Sequence, residues 1–482
     1  MNGPFAARLD SLVGDGVEAA VRAKHRLRLK RLGWEHALDP SGDGAWARGD
    51  PRPRDGCSLE VLIDGAAALP RMAEAMENAR EFVHITGWHI TPSFELVRGQ
   101  RPQPIGALLA ELALRIDVRV LVWSGSPLPT FHPSRADVRE GIANLTRGTR
   151  IRCEADPREH PLHCHHEKTV VIDGALAFVK GIDMTDAAGD RFDTQAHRAR
   201  RRIGWHDVGT RLTGPAVGDV GDHFALRWKE LTGEQVPHPP APAPTGGQTV
   251  QVVRTVANGM YNALPHGEFR ILETYLKALR SASRLIYLEN QFLWAPEIVT
   301  VLADKLRHPP HPDFRLVVLL PAKPNNGGDD TRGQLGVLVQ ADGDDRLLAA
   351  TIRSFSEGRD DPLYVHAKVA IIDDRWLIVG SANLNAHSLL NDTEMNVVTD
   401  DAGLARQTRV RLWSEHLELD AETVAATDAR TLVDDHWRPI AHEQLQRRRR
   451  GAPPTHRLLE LPRVSRRSGR LLGPLQGLID DG

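Results

Sequence analysis

The chain alternates short apolar runs with polar breaks and never sustains the roughly 18 to 20 apolar residues of a spanning helix. Two runs, "TVVI" at Thr169–Ile172 and "VAII" at Val369–Ile372, are dominated by β-branched residues and suit buried strands. "VRVLVW" (residues 118–123) and "FRLVVLLP" (314–321) read the same way. By contrast, "LLAELALRI" (108–116) and "EFRILETYLKALRSA" (268–282) place apolar residues at helical spacing and predict amphipathic helices. Asp173-Gly174, between "TVVI" and the next apolar run, predicts a tight hairpin, whereas Asp373-Asp374 at the matching place is a weaker turn signal.

These elements occur twice. "HEKTVVIDGALAFVKGID" (166–183) aligns without gaps on "HAKVAIIDDRWLIVGSAN" (366–383), at a constant offset of 200 positions. Upstream, "FVHITGWHITP" (82–92) is similar to "LIYLENQFLWAP" (285–296), and 118–123 pairs with 314–321. Each half therefore reads as β, helix, β and a β-hairpin. The Pro/Gly-rich segment 236–249 separates the halves as a linker without apolar periodicity.

Composition narrows the class. The 482 residues are 41% hydrophobic and 26% charged with a formal net charge of -2, an ordinary globular balance. That near-neutral total argues against a nucleic-acid partner, which calls for a large positive field. Cys57, Cys153 and Cys164 cannot form a disulfide framework, and the opening residues carry no signal-peptide core, so a cytoplasmic protein is expected. Only nine of the 61 basic residues are lysines, so lysine at a repeated position is informative.

Two such positions carry chemistry. Both halves hold His-x-Lys-x4-Asp: His166, Lys168, Asp173 and His366, Lys368, Asp373. Chance supplies about 0.03 such matches for a chain of this composition. Residues two apart on a strand share a face, so each His and Lys project together while the Asp sits at the turn as a hydrogen-bond support. A compact ammonium can close on one phosphate oxygen, which a guanidinium fork does differently. The stretch "HPLHCHHEKTVVIDG" (160–174) also invites a metal reading. That reading is set aside because His166 belongs to the repeat, Cys164 and His165 face Tyr364 and Val365 in the other copy, and alternate residues of an extended run diverge. The neighbouring histidines are expected at the cleft entrance or in solvent.

With these motifs, and with "VHAKVAIIDDRWLIVGSANLNAHSLLNDTEMNVV", "RFDT", "GWHDVGTRLTGPAVGDVGDHFALRW" and "IYLENQFL", the chain resembles the phospholipase D superfamily over roughly residues 58–430. The match is nearest to the phospholipase D proper branch. One departure is Lys180, where family members usually carry a glycine. The resemblance implies an α/β fold of two similar mixed α/β sandwich domains packed about a pseudo-twofold axis with a shared cleft. The implied division is a basic helical extension at 1–57, domains at 58–235 and 250–430 around the 236–249 linker, and a basic tail at 431–482.

It also implies a catalytic set of His166, Lys168, Asp173, His366, Lys368 and Asp373. His166 would attack phosphorus to give a phosphohistidine, and His366 would protonate the leaving alcohol and then activate water or a second alcohol. Lys168 and Lys368 would hold phosphoryl oxygens, Asn383 would donate to them with Ser381 assisting, and Asp183 stands where the second half has Asn383. Asp207 and Glu394 are the carboxylates expected to accept the Nδ1 protons of the histidines. The implied substrate is a phospholipid cleaved on the headgroup side to phosphatidic acid, with no cofactor and no metal. Rival readings are a cardiolipin synthase-like phosphatidyltransferase, a nucleic-acid phosphodiesterase and a silent lipid-binding scaffold. The basic stretches 21–34, 447–450 and 463–479, of which the first and last also carry leucines, are expected to make peripheral contact with an anionic inner membrane face.

Overall fold

The computed structural model of the chain describes residues 4–127, 132–160, 163–200, 202–237, 239, 241–323, 328–356 and 359–461. The stretch 463–479 therefore lies outside the described residues. In the first half seven strands matter: β1 (Arg54–Ile63), β2 (Phe82–Gly87), β3 (Asp117–Trp123), β4 (Arg152–Asp156), β5 (Thr169–Ile172), β6 (Leu176–Lys180) and β7 (Val208–Thr213). The second half repeats them as β8 (Gln248–Val256), β9 (Leu285–Glu289), β10 (Arg315–Leu319), β11 (Leu347–Ser356), β12 (Val369–Ile372), β13 (Trp376–Gly380) and β14 (Glu394–Thr399).

The pairing order is the same in both. The first sheet runs β4-β3-β2-β5-β6-β7-β1, with β2, β3 and β4 parallel and the remaining pairs antiparallel. The second runs β11-β10-β9-β12-β13-β14-β8 with the same directions. β1 also pairs with β8, which joins the sheets at their edges. The chain is thus an α/β protein of two similar mixed domains.

Period-two alternation decides which residues meet which layer. Val171 of β5 and Val369 and Ile371 of β12 enter one core shared by both halves, together with Trp413 and Trp437. Val170 and Ile172 turn to a core under the first half's own helices, and Ala370 and Ile372 to the matching core of the second half.

The helix predicted over 268–282 is present as Arg270–Ser281, and that predicted over 108–116 spans Ile105–Leu112. Both hairpins form, with positive φ at both turn residues: Asp173 and Gly174, then Asp373 and Asp374. The second turn lacks the glycine, and Asp374 instead receives a bidentate pair from Arg409 at 2.6 and 2.7 Å. A distant arginine supplies what local turn chemistry does not.

The inter-half segment runs along the first half, where Thr245 N donates to Gly56 O at 2.8 Å. The N-terminal helix Pro4–Leu32 docks on the second half through Arg28, which reaches Asn258 and Asn391, and through His25, 2.7 Å from Glu297. Toward the C-terminus, the helix Arg438–Arg449 is followed by a short strand, Leu458–Glu460, that pairs with β11. No helix among the described residues is long and apolar enough to cross a membrane.

Candidate active site

Each His-x-Lys segment lies in extended backbone just ahead of a hairpin, one to three residues before β5 or β12 begins. Its backbone is held by the opposite half. His166 and Glu167 donate their N–H groups to Thr393 O at 2.9 and 2.8 Å, and His366 and Ala367 donate to His206 O at 2.8 and 3.1 Å. Thr393 and His206 occupy matching places, each directly before a carboxylate at the start of the last strand of the hairpin sheet. That carboxylate orients the visiting histidine: His166 Nδ1 lies 2.9 Å from Glu394 Oε1, and His366 Nδ1 lies 2.6 Å from Asp207 Oδ2. Each half thus positions the other's imidazole. With both Nδ1 atoms engaged, Nε2 is the nitrogen left for chemistry.

The lysines are fully buried. Lys168 Nζ donates to His166 O at 2.8 Å and lies 3.3 Å from Asp183 Oδ2. Lys368 Nζ donates to His366 O and to Gln291 Oε1, the latter at 3.3 Å. Burial pulls Lys368 down to about 7, against the attraction of Asp207. His366 is held well below the ordinary histidine range by burial and by the nearby ammonium groups of Lys368 and Lys168. Because each histidine leans on the other half's carboxylate, both pairs lie at the boundary between the halves. Burial raises Asp207 to about 7 although Lys368 opposes it. His366 and Asp207 are therefore both driven toward uncharged forms. Glu394 behaves otherwise: burial lifts it, but His166, Lys168 and the Ser381 hydroxyl outweigh burial and keep it ionised.

The remaining predicted residues separate clearly. Asp173 accepts the backbone N–H groups of Arg80, Glu81 and Phe82 at 2.8 to 2.9 Å, and Asp373 accepts those of Ser283, Arg284 and Leu285 at 2.7 Å. Both carboxylates are therefore spent on joining hairpin to sheet. Ser381, expected to assist Asn383, gives its hydroxyl proton to Glu394. Asn383 is buried, with Oδ1 unpartnered among the described residues. His165, expected at the entrance or in solvent, is 1% exposed; its Nδ1 sits 2.8 Å from Thr393 Oγ1 and its Nε2 3.4 Å from Asp156. His160 lies 3.0 Å from Asn258 O. The burial of His165 follows from the backbone bridge to residue 393, a long-range pairing with no local signal.

Three neighbours of the site went unnoticed in the sequence. Gln291 links Lys368 to the Tyr364 hydroxyl, and Trp205 packs on His366 with ring centroids 4.3 Å apart. Arg191 is buried with its guanidinium 3.7 Å above the Trp205 ring, and burial brings it down to about 10. All three sit within the quoted family-like stretches, but nothing in their local pattern marks them as facing the cleft.

Comparison with known proteins follows the same division into halves. A domain family described as "Phospholipase D" matches residues 75–202, and one described as "Cardiolipin synthase, PLD-like domain" matches residues 276–415. Curated relatives include "Phospholipase D A" of Dictyostelium discoideum, 26% identical over 76% of this chain and 36% of its own length. "Phospholipase D alpha 4" of Arabidopsis thaliana is 24% identical, over 74% of this chain and 65% of its own. "Phospholipase D2" of Bos taurus is 24% identical over 72% of this chain and 50% of its own. The chain thus spans about one to two thirds of these relatives. Among solved structures, phosphatidylserine synthase of Haemophilus influenzae Rd KW20 aligns at 12% identity over 74% of this chain and 84% of its own, with a TM-score of 0.48.

Proposed function

The chain belongs to the phospholipase D superfamily, and from that premise we propose that it is a phosphodiesterase that hydrolyses glycerophospholipid headgroups to phosphatidic acid through a phosphohistidine. The observation that carries the reading is the exchanged orientation of the two histidines. Each has Nδ1 on the other half's carboxylate, which leaves Nε2 for chemistry, and a buried ammonium two residues on. His166 Nε2 attacks phosphorus as the bond to the headgroup oxygen breaks, and His366 Nε2–H protonates that oxygen. His366 then takes a proton from water, which attacks phosphorus and breaks the P–N bond. Lys168, Lys368 and the Asn383 amide hold the phosphoryl oxygens as charge accumulates on them. A neutral His366 in the free site fits this order only if the arriving phosphate anion restores its proton, since an anion offsets the neighbouring cations.

The domain limits at 1–57, 58–235, 250–430 and 431–482 are part of the same proposal, as are cytoplasmic location and peripheral membrane contact through the N-terminal helix, where Leu27 is 56% exposed. The cardiolipin synthase-type description over residues 276–415 favours a second reading, in which an alcohol rather than water takes the phosphatidyl group. Choline-, ethanolamine- and glycerol-headed phospholipids are the substrates to assay, with ethanol added in parallel. Phosphatidic acid, converted in part to phosphatidylethanol by ethanol, is the expected product; dimeric phosphatidylglycerol products would favour the second reading. His166→Ala and His366→Ala should each abolish turnover, while Cys164→Ser should not. Full activity in either histidine variant, or cleavage of single-stranded DNA with no lipid turnover, would end the proposal.

A further inference from the structure

Behind His366 lies a second cluster that the proposed reaction does not use. His206, whose carbonyl anchors the His366 segment, is fully buried with His197, Asp64 and Glu415. His206 Nδ1 lies 3.0 Å from Asp64 Oδ1 and 3.2 Å from Glu415 Oε1. His197 Nε2 lies 2.8 Å from the same Glu415 oxygen and 3.6 Å from Asp64 Oδ2. Each nitrogen thus faces two carboxylates, whereas the single proton on a nitrogen can serve only one in line. Four donors around a zinc ion, at the usual ~2.0–2.2 Å, are separated by tetrahedral edges of roughly 3.3 Å; the nitrogen–oxygen separations here run from 2.8 to 3.6 Å, the two to Asp64 being made to its two different oxygens, and one ligand atom from each of the four residues lies within 4.8 Å of the others.

The surroundings are also those of a metal centre. The far nitrogen of each ring faces another carboxylate: His206 Nε2 is 2.9 Å from Glu289, and His197 Nδ1 is 3.1 Å from Asp193. The Glu289 contact is a hydrogen bond, of the kind that fixes the tautomer and orientation of metal-bound histidine, whereas the Asp193 contact is a close charged approach without hydrogen-bond geometry. Asp64 Oδ2 and Glu415 Oε2 are buried and find no hydrogen-bond donor among the described residues. Asp64 itself holds a positive φ of 64°, a strained conformation for a residue with a side chain. Two nitrogens and two carboxylate oxygens at tetrahedral edges suit zinc, whereas calcium and magnesium take six or more oxygens at octahedral or looser geometry.

We propose that Asp64, His197, His206 and Glu415 form a structural zinc site that ties the first half to the second through Glu415. His206 binds through Nδ1 and donates Nε2–H to Glu289; His197 binds through Nε2 and keeps Nδ1–H toward Asp193. The ion touches no substrate. It fixes the backbone at residues 206–207, and hence the carbonyl and the carboxylate that position His366. Its loading is independent of the proposed reaction.

The test is metal content. The full chain, produced without a histidine tag in zinc-supplemented medium and passed over a mild chelating resin, is expected to carry about one zinc per chain by mass spectrometry. Cobalt exchanged into the site should give the visible absorption of a tetrahedral ion. His197→Gln should lose the metal. Should that variant not fold, Asp193→Asn, which leaves all four donors in place, is expected to weaken zinc ten- to a hundred-fold in competition with a chromophoric chelator. A folded wild-type chain with under about a tenth of an equivalent, taking up no zinc when refolded in its presence, would overturn the proposal and assign the cluster to imidazolium–carboxylate pairs. One equivalent of calcium or magnesium in place of zinc would overturn it too.

Discussion

The two halves share strand order, register and turn geometry, yet their matched site residues differ at four places: Lys180 against Gly380, Gly181 against Ser381, Asp183 against Asn383, and Asp207 against Glu394. The differences compensate in pairs. Gly181 leaves room for Asp207, since a Cβ there would strike the Asp207 carboxylate; the second half pairs the longer Glu394 with Ser381, whose hydroxyl binds it. Lys180 stands opposite Gly209 across the ladder, whereas Gly380 stands opposite Asn396. One glycine per rung is retained, on opposite strands in the two halves. The two histidines are therefore geometrically alike and electrostatically unlike: His166 leans on an ionised glutamate, His366 on an aspartate that burial has raised to about 7. Symmetry of backbone is compatible with division of labour because the charge environment is set by these few side chains.

The largest effects should come from the carboxylates. Glu394→Gln removes a formal charge from the His166 pair and is expected to lower kcat about a thousand-fold, with little change in KM. Asp207→Asn removes less charge and should cost about a hundred-fold, and Ser381→Ala about ten-fold, by the same physical argument. Equal losses in the two carboxylate variants would show that the halves are electrostatically alike after all. Next come the ammonium groups. Lys168→Arg and Lys368→Arg keep charge but not shape, and each should cost about a hundred-fold in kcat/KM. Because Lys168 faces Asp183 and Lys368 faces Gln291, Asp183→Asn should bring the two clamps closer in behaviour, at a cost of about ten-fold. Unchanged kcat/KM in the arginine variants would remove the clamp role.

Where the halves agree, the sequence was most legible. "TVVI" and "VAII" marked the strands because their β-branched runs are fully buried, and the gapless repeat marked the shared His-x-Lys geometry. Asp173 and Asp373 were legible as turn supports, and each accepts three backbone N–H groups. Asp173→Ala and Asp373→Ala are each expected to lower stability by about 2 kcal/mol in urea unfolding, from lost hydrogen bonds and positive φ, with kcat of the folded enzyme within a few-fold. A loss of kcat without a loss of stability would make these carboxylates part of the chemistry. What the sequence hid is long-range. The exchange of carboxylates between halves, the burial of His165 and the Arg409–Asp374 pair all join residues far apart in the chain, and no local periodicity records them.

The smallest predicted effect bears on the sharpest difference, Lys180. Its ammonium is fully buried and reaches Ile182 O at 2.7 Å, filling from the first strand the place that Asn396 fills from the second, where its side-chain oxygen accepts from Ser381 N and Ala382 N. Burial lowers Lys180 to about 8 although Asp183 opposes it. A fall from 10.5 to about 8 corresponds to about 3 kcal/mol of disfavoured charge at neutral pH. Lys180→Met relieves that burden but leaves the Ile182 carbonyl unpaired, which costs about 1 to 3 kcal/mol, so a net gain of about 1 kcal/mol at pH 7 is expected. The sign follows from linkage. The unfolded chain holds the proton more tightly than the native one between pH 8 and 10.5, so wild-type stability rises over that interval as the native ammonium is discharged. The advantage of the methionine variant should therefore shrink from pH 7 to pH 9, measured as the difference in urea midpoints. A variant that is less stable than wild type at pH 7, by as much as at pH 9, would mean that the buried ammonium is fully compensated and that the departure from glycine on this strand carries no electrostatic cost.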